Sequence, residues 1–277
     1  MIYPVVGGFR MIAGKKGFFD GKPEAFSMEE SEHAYIIRSK EHEMILQKET
    51  LEISIDRKAI TNLKNISFIF EKESVSASRI QFSIHENSAI YGFGERFDSV
   101  NQYGKTVALW QRDACEGCLA SIGNQAYKNI PLVHTSDGFS FFANTSYRMR
   151  MDVGDAVQDY LSVEALGDVF DFYIWSGTPR EAMTAYGTLT GLPIFPPEWV
   201  FEPWAGGGGG RWRNGPLQDI ALEQMAAMKK FHELDIPHSG FYAEGAGATF
   251  YGEYKKEELY KVVSFGERHG FKVFSWQ

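Results

Sequence analysis

From the N-terminus to Trp175, apolar and polar positions alternate over short runs. In Leu51-Glu52-Ile53-Ser54-Ile55 every second residue is apolar, which puts one face on a core and the other in water. Runs rich in Ile, Val, Phe and Tyr recur at His33–Arg38, Glu43–Gln47, Ile66–Phe70, Ile80–Ile84, Phe139–Asn144 and Val169–Trp175. Turn residues such as Gly21-Lys22-Pro23 and Asp137-Gly138 lie between them. Many short strands at modest spacing predict a β-sandwich. No internal repeat interrupts the series.

The period changes near Pro179. Thr178-Pro179-Arg180-Glu181 predicts a helix to about Gly187, with Thr178 as its cap and Pro179 in the first turn. The Pro-rich stretch Gly191–Pro197 marks a boundary, giving a sandwich domain over 1–190 and a second domain over 191–277. Beyond it strands alternate with helices: strand Trp199–Trp204, helix Asp219–His232, strand His238–Ala243, helix Lys256–His269, strand Phe271–Trp276. Gly270 is expected to stop the second helix. This βαβ rhythm predicts parallel strands. Three such strands leave an open sheet edge, so the second domain reads as an incomplete (β/α)8 barrel and the chain as part of a longer product.

Composition changes this picture little. The 277 residues are 44% hydrophobic and 23% charged, ordinary for a chain with a sizeable core. The net charge of -8 argues against nucleic acid, whose phosphates call for a positive patch. No leader segment and no apolar run near 18 residues is present, so the expectation is a cytoplasmic protein with no membrane partner. The sequon matches at Asn65 and Asn144 carry no weight without a secretory route. Cys115 and Cys118 lack the further ligands a structural zinc needs, and they read as two loop thiols; no metal and no cofactor is expected. The glycine run Gly206–Gly210 has neither the Lys-Ser/Thr of a phosphate loop nor dinucleotide-binding spacing. It reads as a strand-to-helix loop.

A family comes into view in the motifs. Tyr91-Gly92-Phe93-Gly94-Glu95-Arg96-Phe97 resembles a segment of glycoside hydrolase family 31. Further resemblances follow in the family's order: Trp110-Gln111-Arg112-Asp113, Ala126-Tyr127-Lys128-Asn129-Ile130-Pro131, Gly138–Asn144, Asp171–Pro179, Leu192–Trp199 and Asp235-Ile236-Pro237. The resemblance implies a galactose-mutarotase-like sandwich followed by a TIM barrel, and a retaining α-glycoside hydrolase acting on α-linked sugars. Such enzymes use two carboxyl groups roughly 5 Å apart, one nucleophile and one acid/base. In the family resembled, both are Asp residues beyond the third barrel strand, so no catalytic residue is assigned here and the chain alone is expected to be inactive.

The candidate substrate-binding residues are Glu244, Trp204, Trp276, Asp113 and Arg211. Glu244 ends the second strand, where the family has an Asp that binds sugar hydroxyls. It reads either as that carboxylate or as a solvated strand end. The segment Phe241–Gly247 departs from the family's Asp-x-x-Trp/Tyr-Met, which leaves the sugar open. Trp204 and Trp276 either stack on a pyranose face or pack the second domain. Asp113 lies in the loop that, by resemblance, caps the pocket, or is an ordinary loop residue. Arg211 and Arg213 either meet an anionic sugar substituent or stay solvated. Glu95-Arg96 reads as an internal ion pair, and His134 and His238 as locally bonded side chains. A non-catalytic carbohydrate-binding sandwich is the alternative function. A homo-oligomer is compatible with either reading.

Overall fold

The computed structural model describes residues 1–14, 16–112, 126–207, 220–243 and 256–275. The chain divides into two compact units, Met1–Pro193 and Ile194–Gln277. The first unit opens with the hairpin β1 (Ile2–Val5) and β2 (Gly8–Gly14). A meander follows: β3 (Ser27–Glu30), β4 (Ala34–Arg38), β5 (Glu43–Gln47), β6 (Glu52–Ile55), β7 (Lys58–Glu71) and β8 (Ser74–Ser83). Then come β9 (Ile90–Gly94), β10 (Lys105–Leu109), β11 (Asn129–Thr135), β12 (Phe139–Ala143), β13 (Met149–Val153), β14 (Tyr160–Leu166), β15 (Val169–Ser176) and helix α1 (Pro179–Thr190). Among the described residues they form two antiparallel sheets, β1-β2-β15-β12-β11-β9 and β10-β13-β14-β8-β7-β6-β5-β4-β3.

The period-2 pattern explains the layers. Ile53 and Ile55 of β6, Met44 and Leu46 of β5, and Ile80 and Phe82 of β8 enter one core with Phe9, Met11, Phe139, Phe141, Phe172 and Ile174 of the other sheet. Phe82 sits at its centre, stacked on Phe141 at 4.8 Å and edge-on to Phe172 at 5.5 Å. Burying a side chain of this size stabilises the sandwich by about 1.5–3 kcal/mol.

The six-stranded sheet is covered on its outer face as well. There Tyr3, Val5, Ile12, Leu132, Phe142, Tyr173 and Trp175 pack against Ala182 and Ala185 of α1 and against Phe19. That second cover is why β12 reads Phe-Ser-Phe-Phe-Ala and β15 lacks a polar alternation: both faces are buried. Helix α1 has the expected start. Thr178 Oγ1 accepts the Glu181 N–H while the Glu181 carboxylate accepts the Thr178 N–H, a reciprocal capping box. It runs three residues past the expected Gly187, to Thr190.

The second unit contains β16 (Trp204–Gly207), α2 (Ile220–Glu233), β17 (Gly240–Ala243), α3 (Lys256–Arg268) and β18 (Lys272–Phe274). The strands lie parallel in the order β16-β17-β18, with Ala205 opposite Phe241 and Phe241 opposite Val273. Both expected helices are present. Met228 of α2 and Val262 of α3 pack on Ala205, Phe241, Ala243 and Phe271. Gly266 lies inside α3, where glycine disfavours a helix; a Cβ there would approach Val273 to 2.4 Å, so glycine lets α3 close on β18.

The expected strand Trp199–Trp204 is corrected. Glu198–Phe201 is a 3-10 turn, and the strand begins at Trp204. Pro196, Pro197 and Pro203 explain this: none has a backbone N–H to offer a sheet, so the ladder starts after the last of them. Among the described residues no helix is long and apolar enough to cross a membrane.

Candidate functional site

Of the five candidate residues, Glu244, Trp276, Asp113 and Arg211 lie outside the described residues, as do Arg213, Cys115, Cys118 and Gly208–Gly210. Trp204 lies within them, at the first position of β16 rather than at the end of a strand. Its ring stacks on Phe274 at 4.6 Å and on Trp199 at 5.9 Å, and it covers Gly240. The last described positions of β16 and β17, Gly207 and Ala243, carry no carboxyl group, and Glu244 follows Ala243 directly in the chain. His238 stacks on Phe271, with its ring nitrogens 2.7 and 3.1 Å from the carbonyls of Ile236 and His269. His134 shares a 2.8 Å hydrogen bond with Ser140, and burial lowers its pKa. Among the described residues no group of three or more His, Cys, Asp and Glu could hold a metal ion.

In the first unit the motif Tyr91–Phe97 is built on close backbone approach. Gly92 has φ +111°, and a Cβ there would come 2.2 Å from the Leu132 carbonyl oxygen of the neighbouring strand β11. The expected Glu95–Arg96 ion pair is not formed. Glu95 faces Lys128 at 4.0 Å, while Arg96 Nη2 donates to the carbonyls of Phe93 and Ala108 and to Asn129 Oδ1 at 2.6 Å. Carbonyls of the tight turn lie nearer to the guanidinium than a carboxylate one residue away. Arg96 Nε and Nη1 are buried without a hydrogen-bond partner among the described residues. Burial pulls its pKa below the ordinary value, and Asp98 acts in the opposite direction.

Arg96 thereby fixes one wall of a groove of about 270 Å³. Asn129, held by that bond, donates to the Ala126 carbonyl and lies 3.5 Å from Gln111 Oε1. Trp110, 52% exposed, and Tyr147, 47% exposed, also line the groove, with Thr145 and Ser146. Thr145 Oγ1 accepts the Tyr147 N–H and sets that turn.

The turn leaves β12 at Asn144, which is fully buried and therefore closed to its sequon role. Asn144 belongs to a polar network that the sequence did not announce. Arg10 is fully buried on the outer face of the six-stranded sheet and makes a two-pronged pair with Asp171, at 2.9 and 2.7 Å. Asp171 also accepts from Gly17 N–H and Asn144 Nδ2. Asn144 in turn exchanges hydrogen bonds with both backbone groups of Phe19. Burial works to lower the Arg10 pKa, but the hydrogen bonds to Asp171 and Asp20 outweigh it and raise it. The signal available in the sequence was one charged residue in each of two otherwise apolar strands, Phe-Arg-Met and Phe-Asp-Phe.

Residues 18–152 match the family description "Glycosyl hydrolase 31 N-terminal galactose mutarotase-like domain". By that match, residues 18–152 are similar to a family 31 N-terminal domain. The family 31 match covers β3 to β12, most of β13 and both walls of the groove. An α-xylosidase of Lactiplantibacillus pentosus is 34% identical over 166 residues, 59% of this chain and 21% of that protein. A 1,3-alpha-isomaltosidase of Kribbella flavida is 25% identical over 228 residues, 78% of this chain and 29% of that protein. The chain thus spans less than a third of these family 31 relatives. Among solved structures, a cycloalternan-forming enzyme of Listeria monocytogenes in complex with a pentasaccharide substrate superposes with TM-score 0.78 at 19% identity, over 98% of this chain and 28% of that one. A family 31 α-xylosidase from a soil metagenome complexed with xylose gives 0.75 at 14% identity, over 99% and 45%.

Proposed function

We propose that the chain is the N-terminal portion of a retaining α-glycoside hydrolase acting on α-linked sugars, with the parallel strands of its second unit opening a (β/α)8 barrel. One observation carries the reading: a family 31 sandwich domain is followed in the same chain by a parallel β-α-β-α-β unit. In a barrel the reactive groups gather at the C-terminal ends of the strands. In the family resembled both acids lie beyond the third barrel strand, so the nucleophile and the acid/base are proposed to lie on strands that follow β18 in a longer polypeptide. Glu244, which comes straight after β17, is proposed to accept hydroxyl hydrogens of the sugar, since a carboxylate can accept from two neighbouring hydroxyls. Asp113, Arg211 and Trp276 are proposed as further substrate residues.

The test is hydrolysis of p-nitrophenyl α-glucoside and α-xyloside. The purified 277-residue chain is expected to give none, and a polypeptide extended through the downstream coding sequence is expected to turn over at least one of them with retention. Turnover by the 277-residue chain would refute the placement of the acids. An inactive extended protein would refute the hydrolase reading.

A further inference from the structure

We infer that the sandwich has a carbohydrate subsite of its own, the groove between Trp110 and Tyr147, which takes a neutral pyranose unit of an oligosaccharide. The inference goes beyond the hydrolase reading, because it concerns a binding surface made by the first unit alone. Four observations support it. The nine described residues lining the groove carry no formal charge, although the chain has a net charge of -8. Among them a phosphate, carboxylate or ammonium ligand finds no counter-charge, whereas a neutral polyol needs none.

Both aromatic side chains are about half exposed, where a folded chain gains by covering them. Flat rings of this kind suit the C–H face of a pyranose. The polar groups between them are carboxamides and hydroxyls, Gln111, Asn129, Thr145 and Ser146. Such groups both donate and accept, as sugar hydroxyls do. Last, the walls are set before any ligand arrives. Arg96, with part of its guanidinium buried, orients Asn129, and the Thr145 turn holds the backbone of Tyr147. A site fixed in this way loses little freedom on binding. Its volume, about 270 Å³, lies near the lower end of small-ligand clefts, roughly 300–1,000 Å³, which favours one ring at a time.

The experiment is ligand-observed saturation-transfer NMR on the 277-residue chain with maltotriose and with isomaltotriose, and a titration of whichever responds. Saturable binding with a Kd on the order of 1 mM is expected, matching one stacked ring and a few exchanged hydrogen bonds. Trp110→Ala and Tyr147→Ala are each expected to weaken it about three- to tenfold, the loss of one aromatic contact. Phe195→Ala, which removes a 94% exposed aromatic outside the groove, should leave binding unchanged. Circular dichroism and melting of each variant separate a lost contact from a lost fold. No saturable binding of either sugar, or folded Trp110→Ala and Tyr147→Ala variants that bind like the parent, would overturn the inference. Hydrolysis by the extended polypeptide is read separately. An active enzyme with an empty groove sinks only the subsite, and an inactive one with a sugar-binding groove sinks only the hydrolase.

Discussion

Asp171→Ala is expected to be among the most damaging single changes in the sandwich. The carboxylate is fully buried and accepts four hydrogen bonds: two from Arg10, one from the Gly17 N–H and one from Asn144. Its removal takes the buried counter-charge from a guanidinium that is itself fully buried and that keeps Tyr3 Oη as a neutral partner. It also leaves the Gly17 N–H without its acceptor, while Asn144 Nδ2 keeps the Phe19 carbonyl. Breaking a buried pair from one side costs about 3–5 kcal/mol. Asp20 still reaches Arg10, but its side chain is 67% exposed and solvent screens it, so it returns only a fraction. With about 2–4 °C per kcal/mol for a unit of this size, the expected fall in Tm is about 6–20 °C. Urea unfolding followed by near-UV circular dichroism is the assay, because Tyr173 and Trp175 stack at 5.9 Å on the same sheet face and report that layer. Arg10→Met combined with Asp171→Leu should be milder than Asp171→Ala alone, since no charge is then left buried. A loss below about 1 kcal/mol for Asp171→Ala, or a double variant no better than the single, would show that the buried pair and its hydrogen bonds are not what stabilises this face of the sheet.

Two further outcomes can be checked on the same chain. Gly92→Ala forces a Cβ against the Leu132 carbonyl at a φ that alanine avoids; a loss of about 1–3 kcal/mol is expected in the same urea assay, and a neutral variant would mean that β9 and β11 can separate at no cost. Asp98 has its pKa depressed to about 2: burial acts to raise it, but hydrogen bonds from Lys105, Gln102 and the Ser99 N–H outweigh that. A folded-state pKa below the ordinary 3.8 gives stability that is present above about pH 4 and fades as the pH falls toward 2. Asp98→Asn should therefore remove a small part of the acid limb of a stability–pH curve, on the order of 1 kcal/mol after screening, and leave its slope above pH 5 unchanged.

The strands with one wet face were the easiest to read. Ile53 and Ile55 point inward while Glu52 and Ser54 point outward, and the sequence shows that alternation directly. Val169–Trp175 was legible for the opposite reason, as an apolar and aromatic run broken only by Asp171. The hairpin Ile2–Gly14 was not singled out among the strand runs; its two strands meet at Gly7-Gly8, where Gly7 supplies the positive φ of a tight turn. Trp204 was placed at the wrong end of its strand because aromatic content outweighed the three prolines around it. The groove was the least legible part. Trp110 and Gln111 leave β10, Asn129 opens β11 and Tyr147 follows β12, so residues from three chain segments meet only after folding. What the sequence could offer was the motifs on either side of it.

Strand β15 serves both hydrophobic layers at once. Phe170, Phe172 and Ile174 face one, while Asp171, Tyr173 and Trp175 face the other. In a saturation mutagenesis profile it should appear as an unbroken band of intolerance from Val169 to Trp175, whereas β5 and β6 should show a comb in which every second position is free to vary. Evolution can thus re-tune the meander one tooth at a time, but β15 can change only through paired substitutions that repair two neighbourhoods together.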